Sequence, residues 1–198
     1  MTAGNILSGI NIFGINGTAS GASLVDTGQT GCWDTGGTPI TCGSAYPGQD
    51  AEYTHTNSSH TCNPSYTTST ISGVIIVTDN CTGLMWKQCS EGQTGSGCTG
   101  TAGSYTWDAA LSQCEGLSYA SSTEWRLPNV KELVSIANYQ NVSPAINTTY
   151  FPATQSDRYW SSTTYAGYPY FAWFVYFYSG NVFYDDKAFG YYVRCVRQ

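Results

Sequence analysis

Charge is what this sequence most lacks. Its 198 residues include 7 Lys and Arg and 13 Asp and Glu, or 10% of the chain, against roughly 25% in an average soluble protein. The net charge is −6 and no Lys/Arg cluster occurs, so nucleic acid and anionic membranes are excluded as partners: nothing is there to neutralise phosphates. Histidine is nearly missing too. His55 and His60 share one polar stretch and no G-x-S-x-G occurs, which leaves serine-hydrolase chemistry without support. No two cysteines fall at C-x2-C spacing, which removes the usual zinc site. No apolar run reaches the roughly 18 residues needed to span a bilayer, and "MTAGNILSG" lacks the basic and apolar regions of a signal peptide.

A surface so poor in charge must be made of Ser, Thr, Asn, Gly and Tyr, a composition common outside cells. The chain has an even set of cysteines: Cys32, Cys42, Cys62, Cys81, Cys89, Cys98, Cys114 and Cys195. They read as four disulfides formed in an oxidising compartment, with connectivity left open by sequence. An export signal or anchor is then expected outside this chain. The length suits one domain (residues 26–198) behind a Gly/Ser-rich arm or linker (residues 1–25).

Along the chain, the Gly-Gly turn in "CWDTGGTPITC" predicts a hairpin closed by Cys32–Cys42. Residues 43–70 read as polar loop. Val74 to Val77 form a buried strand, followed by a turn at Asp79–Asn80. Two helices come next. Trp107, Ala110, Leu111 and Cys114 fall at helical spacing, with Thr106 as N-cap and Gly116 as stop. Val130, Leu133, Val134 and Ala137 repeat the pattern, with Asn129 and Glu132 as a capping-box pair. From Tyr159 the period changes to two, and the stretch 159–192 holds 16 of the 29 Phe, Trp and Tyr residues. Trp173, Val175 and Phe177 point one way, as core; Phe174, Tyr176 and Tyr178 point the other, toward solvent. Ser179–Gly180–Asn181 turns the chain, and a last strand runs through "YYVRCVRQ", with Tyr191, Val193 and Cys195 on one face. The order predicts an α+β fold with two helices packed on antiparallel sheet.

Other constellations carry little. His55, His60 and Cys62 lack metal-site spacing. The pairs Asp50/Glu52 and Asp185/Asp186 lie in no calcium-loop string. The sequons at Asn16, Asn57, Asn80 and Asn147 are what chance gives in a Thr-rich chain. No cofactor and no metal are expected, and no catalytic residue is assigned.

"GLMW" (Gly83–Trp86), the Trp107–Cys114 helix, "WRLPNVKEL" (Trp125–Leu133), "YWSST" (Tyr159–Thr163) and "YVRCVR" (Tyr192–Arg197) occur in that order. Together with "DTGQTGCWDTGGTPITC" and "GQD" (Gly48–Asp50), they resemble the C-terminal domain of the Legionella collagen-like protein family over residues 26–198. The resemblance implies a C-type-lectin-like fold of the formylglycine-generating-enzyme branch, with the first helix tied to the last strand by Cys114–Cys195. Cys89–Cys98 would then close a Gly-rich loop, leaving Cys62–Cys81. The Glu-Pro-Asn and Gln-Pro-Asp triplets by which many C-type lectins hold calcium and sugar are absent. All eight cysteines have framework roles, so formylglycine-type chemistry is not expected.

Several family members resemble the variable proteins of diversity-generating retroelements, which randomise template adenines, often in AAY codons. Such codons reach Tyr, Phe, Asp, Ser, Gly, Ala and Asn but not Trp, Lys, Gln, Glu or Met. Within a candidate variable region, residues 159–198, the ligand-binding positions implied are Tyr168, Tyr170, Phe171, Phe174, Tyr176, Tyr178, Phe183, Tyr184, Asp185, Asp186, Ala188, Phe189, Gly190 and Tyr191. Trp160, Trp173 and Lys187 lie outside the reachable set and are expected to be scaffold. The mixture of Tyr with Ser, Gly and Asn is that of a paratope. The expectation is a secreted or surface-displayed bacterial domain, monomeric and not inserted in a membrane, that binds a protein or other surface ligand. The alternative is an invariant adhesion module at the end of a stalk.

Overall fold

The computed structural model describes residues 11–12, 15–16, 24–25, 27, 29–44, 61–62 and 64–198, with side chains described for 27, 29–44 and 64–198. Short strands come first: β1 (Asn11–Ile12) pairs antiparallel with β2 (Ile15–Asn16), and β3 (Leu24–Val25) pairs parallel with β6 (Thr61–Cys62). Between them β4 (Cys32–Trp33) and β5 (Pro39–Ile40) form the expected hairpin, closed by Cys32–Cys42. Asp34 closes its turn by accepting from the Gly36 and Thr38 N–H groups at 2.9 and 2.8 Å. The arm expected at residues 1–25, the His55/His60/Cys62 cluster and the Asp50/Glu52 pair lie largely or wholly outside the described residues.

The domain proper has two antiparallel sheets. β7 (Tyr66–Ile71), β8 (Val74–Asp79), β9 (Met85–Lys87) and β13 (Val196–Arg197) form one, in the order β13-β9-β8-β7. β10 (Arg158–Thr164), β11 (Phe171–Tyr176) and β12 (Asn181–Asp186) form the other. β7 corrects the expectation of polar loop through residue 70. It is an edge strand whose Thr and Ser side chains are exposed, so its composition mimics loop while its backbone pairs with β8 along its length.

The helices are α1 (Trp107–Glu115) and α2 (Val130–Ser135). Thr106 occupies the N-cap of α1 by backbone conformation alone; its hydroxyl binds Asp108 Oδ1 at 2.6 Å instead of the helix N–H groups. α2 has the expected capping box: Asn129 Oδ1 accepts from the Glu132 N–H and Glu132 Oε2 from the Asn129 N–H. Glu132 also holds Arg126 through two hydrogen bonds of 2.7 Å. α2 ends before Ala137, because that residue pairs with Ile146 in an isolated bridge.

Two cores lie on opposite faces of the three-stranded sheet. α2 contributes Leu133 to one, with Trp86, Phe151, Tyr159, Val175 and Phe177. α1 contributes Ala110 and Cys114 to the other, with Trp125, Trp160, Ala172, Phe174 and Val193. The expected division into a core face and a solvent face is therefore corrected. Both faces of β10 and β11 are largely covered, and exposure increases laterally toward the edge strand β12.

The C-terminal segment is only briefly a strand. Tyr191 exchanges backbone hydrogen bonds with Tyr105, Tyr192 joins Arg158 and Trp160, Val193 accepts from Glu91, Cys195 from Lys87, and Val196 exchanges bonds with Arg126. Every step finds a different partner, which is why a continuous strand does not form. Cys195 bonds to Cys114 and Cys89 to Cys98. Cys81 is disulfide-bonded as well, whereas the side chain of Cys62, expected as its partner, lies outside the described residues.

Arg194 is fully buried. Its guanidinium donates to the carbonyls of Lys87 and Gln88 and, at 2.7 Å, to Thr154 Oγ1, and lies 4.9 Å from the Phe151 ring centre. Burial holds its pKa below the usual arginine value. Arg194→Met strands these buried acceptors, and a loss of roughly 3 kcal/mol or more is expected in urea unfolding. A loss below about 1 kcal/mol would mean that the cation is dispensable.

Candidate functional site

The third sheet strand, β12, is the outer edge of the aromatic sheet, and alternate residues along it address two differently built patches. Val182, Tyr184 and Asp186 share a face with Val175, Trp173 and Phe171; Asn181, Phe183 and Asp185 share the other with Tyr176, Phe174 and Ala172.

On the first face, the chain between β10 and β11 folds back as a turn, closed by the Phe171 N–H to the Tyr168 carbonyl and the Tyr165 N–H to the Phe171 carbonyl, both 2.9 Å. The turn lays Tyr165 flat on Tyr184, with ring centres 4.0 Å apart and planes 4° apart. Trp173 stands edge-on to both rings at 5.3 Å. Phe171 adjoins Tyr184, and Tyr168 and Tyr170 extend the patch outward. The neighbouring Tyr184 phenol is the main reason that the Tyr165 phenol titrates above its ordinary value. Lys187 fastens the turn: its Nζ donates to Thr164 Oγ1 and the Pro169 carbonyl, both at 2.9 Å, and sits 3.9 Å from the Trp107 ring centre.

On the second face, Phe174 is buried between Trp160, Phe183 and Tyr191. The Tyr191 hydroxyl donates to Asp185 Oδ2 at 2.5 Å and accepts from Arg158 Nη1 at 3.1 Å. Arg158 also covers the rings of Tyr191 and Phe174, 5.1 and 5.7 Å from their centres. Burial first, then the bond to Asp185, holds the Tyr191 phenol up at about 12. Tyr176 and Tyr178 stack at 5.7 Å at the far end.

The fourteen expected positions thus fall into groups. Tyr168, Tyr170, Tyr178, Phe183, Tyr184, Ala188, Phe189 and Gly190 are exposed; Phe171, Tyr176, Asp185 and Asp186 are half-buried. Phe174 and Tyr191 are buried, at 4% and 8% exposure, which corrects their expected placement in solvent. Asp185 and Asp186 do not simply face water: Asp185 holds Tyr191, and Asp186 Oδ1 accepts the Ala188 N–H to close the following turn. Trp173 is half-buried and belongs to the aromatic patch instead of the core, because no layer formed by the described residues covers the sheet there. Sequence reasoning passed over Tyr165 and Arg158. The cross-strand register that brings Arg158 opposite Tyr176 gave no local signal; Tyr165 could have been found from its place among the neighbouring tyrosines.

Among the described residues, no group of three or more His, Cys, Asp or Glu side chains is placed to hold a metal ion, and no helix is long and apolar enough to cross a membrane. Residues 75–197, more than half of the chain, match the family model described as the Lcl C-terminal domain. No curated protein matches the chain.

Phe174→Ala is expected to cost about 3–4 kcal/mol, and Tyr184→Ala about 1 kcal/mol or less, in urea unfolding. Equal losses would contradict the lateral gradient of burial. The raised Tyr191 pKa makes a further claim. A neutral Tyr191 contributes stability that is complete below pH about 10, the ordinary tyrosine value, and is lost as pH rises toward about 12. Tyr191→Phe should therefore flatten the stability curve in that window; an unchanged slope would refute the assignment.

Proposed function

We propose, from the premise that this chain belongs to the Lcl C-terminal domain family, that it is a ligand-binding module displayed outside the cell, whose aromatic C-terminal face is diversified by a retroelement. The observation that carries this reading is the contiguous patch of Tyr165, Tyr168, Tyr170, Phe171, Trp173 and Tyr184, whose outer members, Tyr168, Tyr170 and Tyr184, are 53%, 56% and 43% exposed. A patch of this kind on a soluble domain marks an interaction site, and rigid Tyr rings give large contact area at little conformational loss. Phe183, Phe189 and Tyr178 extend the surface to the other side of β12.

Amino-acid type and place agree in this reading at all but one position. Trp160 and Lys187, which AAY-type diversification cannot produce, are framework: one is fully buried and the other pins the Tyr165 turn. Trp173, equally out of reach, is half-buried within the patch and is its fixed member in this account. The exposed candidates are Tyr, Phe, Ala and Gly, all reachable. Phe174 and Tyr191 are reachable in type but buried, so in this account they vary little. The disulfides favour an oxidising location. The module binds and does not catalyse.

A display library tests the reading. Randomising Tyr168, Tyr170, Phe183, Tyr184 and Phe189 should leave most members protease-resistant and should yield binders to unrelated proteins. Randomising Phe174, Tyr191 and Trp160 should destroy resistance in most members. If both libraries lose folded members equally, the face is not built for diversification and an invariant adhesion module becomes the better account.

A further inference from the structure

Away from the aromatic face, a cavity of about 510 Å³ lies between the β7–β8 hairpin, the Cys89–Cys98 loop and the segment after α1. None of its lining residues belongs to 159–198. Its size is within the range of small-molecule sites. Val74, Ile75, Leu117 and the Tyr119 ring supply apolar wall. The Tyr119 hydroxyl is occupied, donating to the Ile75 carbonyl at 2.7 Å, which presents the ring and not the phenol to a guest.

Lys87 also lines the cavity and is only 6% exposed. Its ammonium lies 5.6 Å from the Tyr119 ring centre and pairs with Glu91 Oε1 at 2.8 Å. No other hydrogen bond to Nζ exists among the described residues, although an ammonium carries three donors. Gln93, another lining residue at 3% exposure, has an Oε1 without a partner.

Charge in this region is unbalanced. Arg194 donates to the carbonyls of Lys87 and Gln88, so the buried group of Lys87, Glu91 and Arg194 holds two cations and one carboxylate. The remaining buried charge, Asp79, is at the opposite end of β8, bound to Thr82 and the Cys81 N–H. Lys87 and Glu91 offset each other and the surplus cation, Arg194, is not part of the lining, so a guest carboxylate would be drawn by the net positive charge of the group and by the Nζ donors that Glu91 leaves open.

We propose that this cavity binds a small amphipathic monocarboxylate, with its carboxylate on Lys87 Nζ and its apolar body against Val74, Ile75, Leu117 and the Tyr119 ring. A hydroxyl or N–H on the same molecule satisfies Gln93 Oε1. The site takes no residue from the aromatic face and gives the module a second ligand whose chemistry does not depend on that face.

N-acetyl-L-phenylalanine, which has an aromatic body, one carboxylate and one amide N–H, is the probe, and its uncharged amide the comparison. Titration of the 198-residue chain followed by NMR should show saturable binding of the acid, with shifted signals for Val74, Lys87 and Leu117. The neutral amide should bind at least about tenfold more weakly. Thr70→Trp and Ser96→Trp, both at exposed lining positions, should block binding, while Tyr184→Ser should leave it unchanged. Three results would overturn the site: no saturable binding up to about 10 mM, equal affinity for acid and amide, or binding retained in both Trp variants. The acid–amide comparison on the unaltered chain stands even if a Trp variant fails to fold.

Discussion

The structure depends on how one irregular segment, Tyr191 to Val196, is held between its two sheets. It has no single neighbour. Its backbone is satisfied in turn by Tyr105, Arg158, Trp160, Glu91, Lys87 and Arg126. Two side chains make that path obligatory: Arg194, whose buried guanidinium ties it to the strand β9 end and to Thr154, and Cys195, bonded to α1 through Cys114. Chain entropy opposes ordering this segment, and the disulfide offsets part of that by restricting the unfolded chain. Because the segment joins both sheets and α1, β10 and β11 are fixed in place, and with them the edge on which β12 presents its aromatic residues.

Local signals in the sequence were reliable where the physics was local. The capping box of Asn129 and Glu132, the helical spacing of Trp107 to Cys114 and the Gly-Gly hairpin all correspond to observed elements. Period two also placed Val175 and Phe177 on a common core face. It misplaced Phe174 because alternation identifies two faces without saying what covers each; here a second core, built from α1 and Trp125, covers the other. Trp173 fails for the complementary reason, since its face is core at Val175 and open at the sheet's outer end. Arg194 could not be read as a core residue at all, because its partners are carbonyls and hydroxyls distant in sequence. The edge strand β7 was hidden by exposed Thr and Ser side chains that look like loop.

This architecture separates what must be constant from what is free to change. Trp160, Val175, Phe177 and Val193 are wholly buried, while the rings of Tyr168, Tyr170, Phe183 and Phe189 reach into solvent from the same short stretch of chain. Substitutions at the exposed rings alter contact chemistry and remove little buried area, so a surface can be rewritten without rebuilding the domain. The cavity beside the β7–β8 hairpin takes no lining residue from 159–198, so its shape does not depend on the aromatic side chains of that stretch.

The central claim is that residues 159–198 are rewritten from a template, and the DNA flanking the gene tests it most directly. The account predicts a near-copy of these codons beside a reverse transcriptase gene, with every mismatch at a template adenine and the mismatches concentrated at the exposed positions of β12 and the 165–170 turn. A copy whose mismatches fall without regard to adenine, or that differs mainly at the codons for Trp160, Val175, Phe177 and Val193, would contradict it.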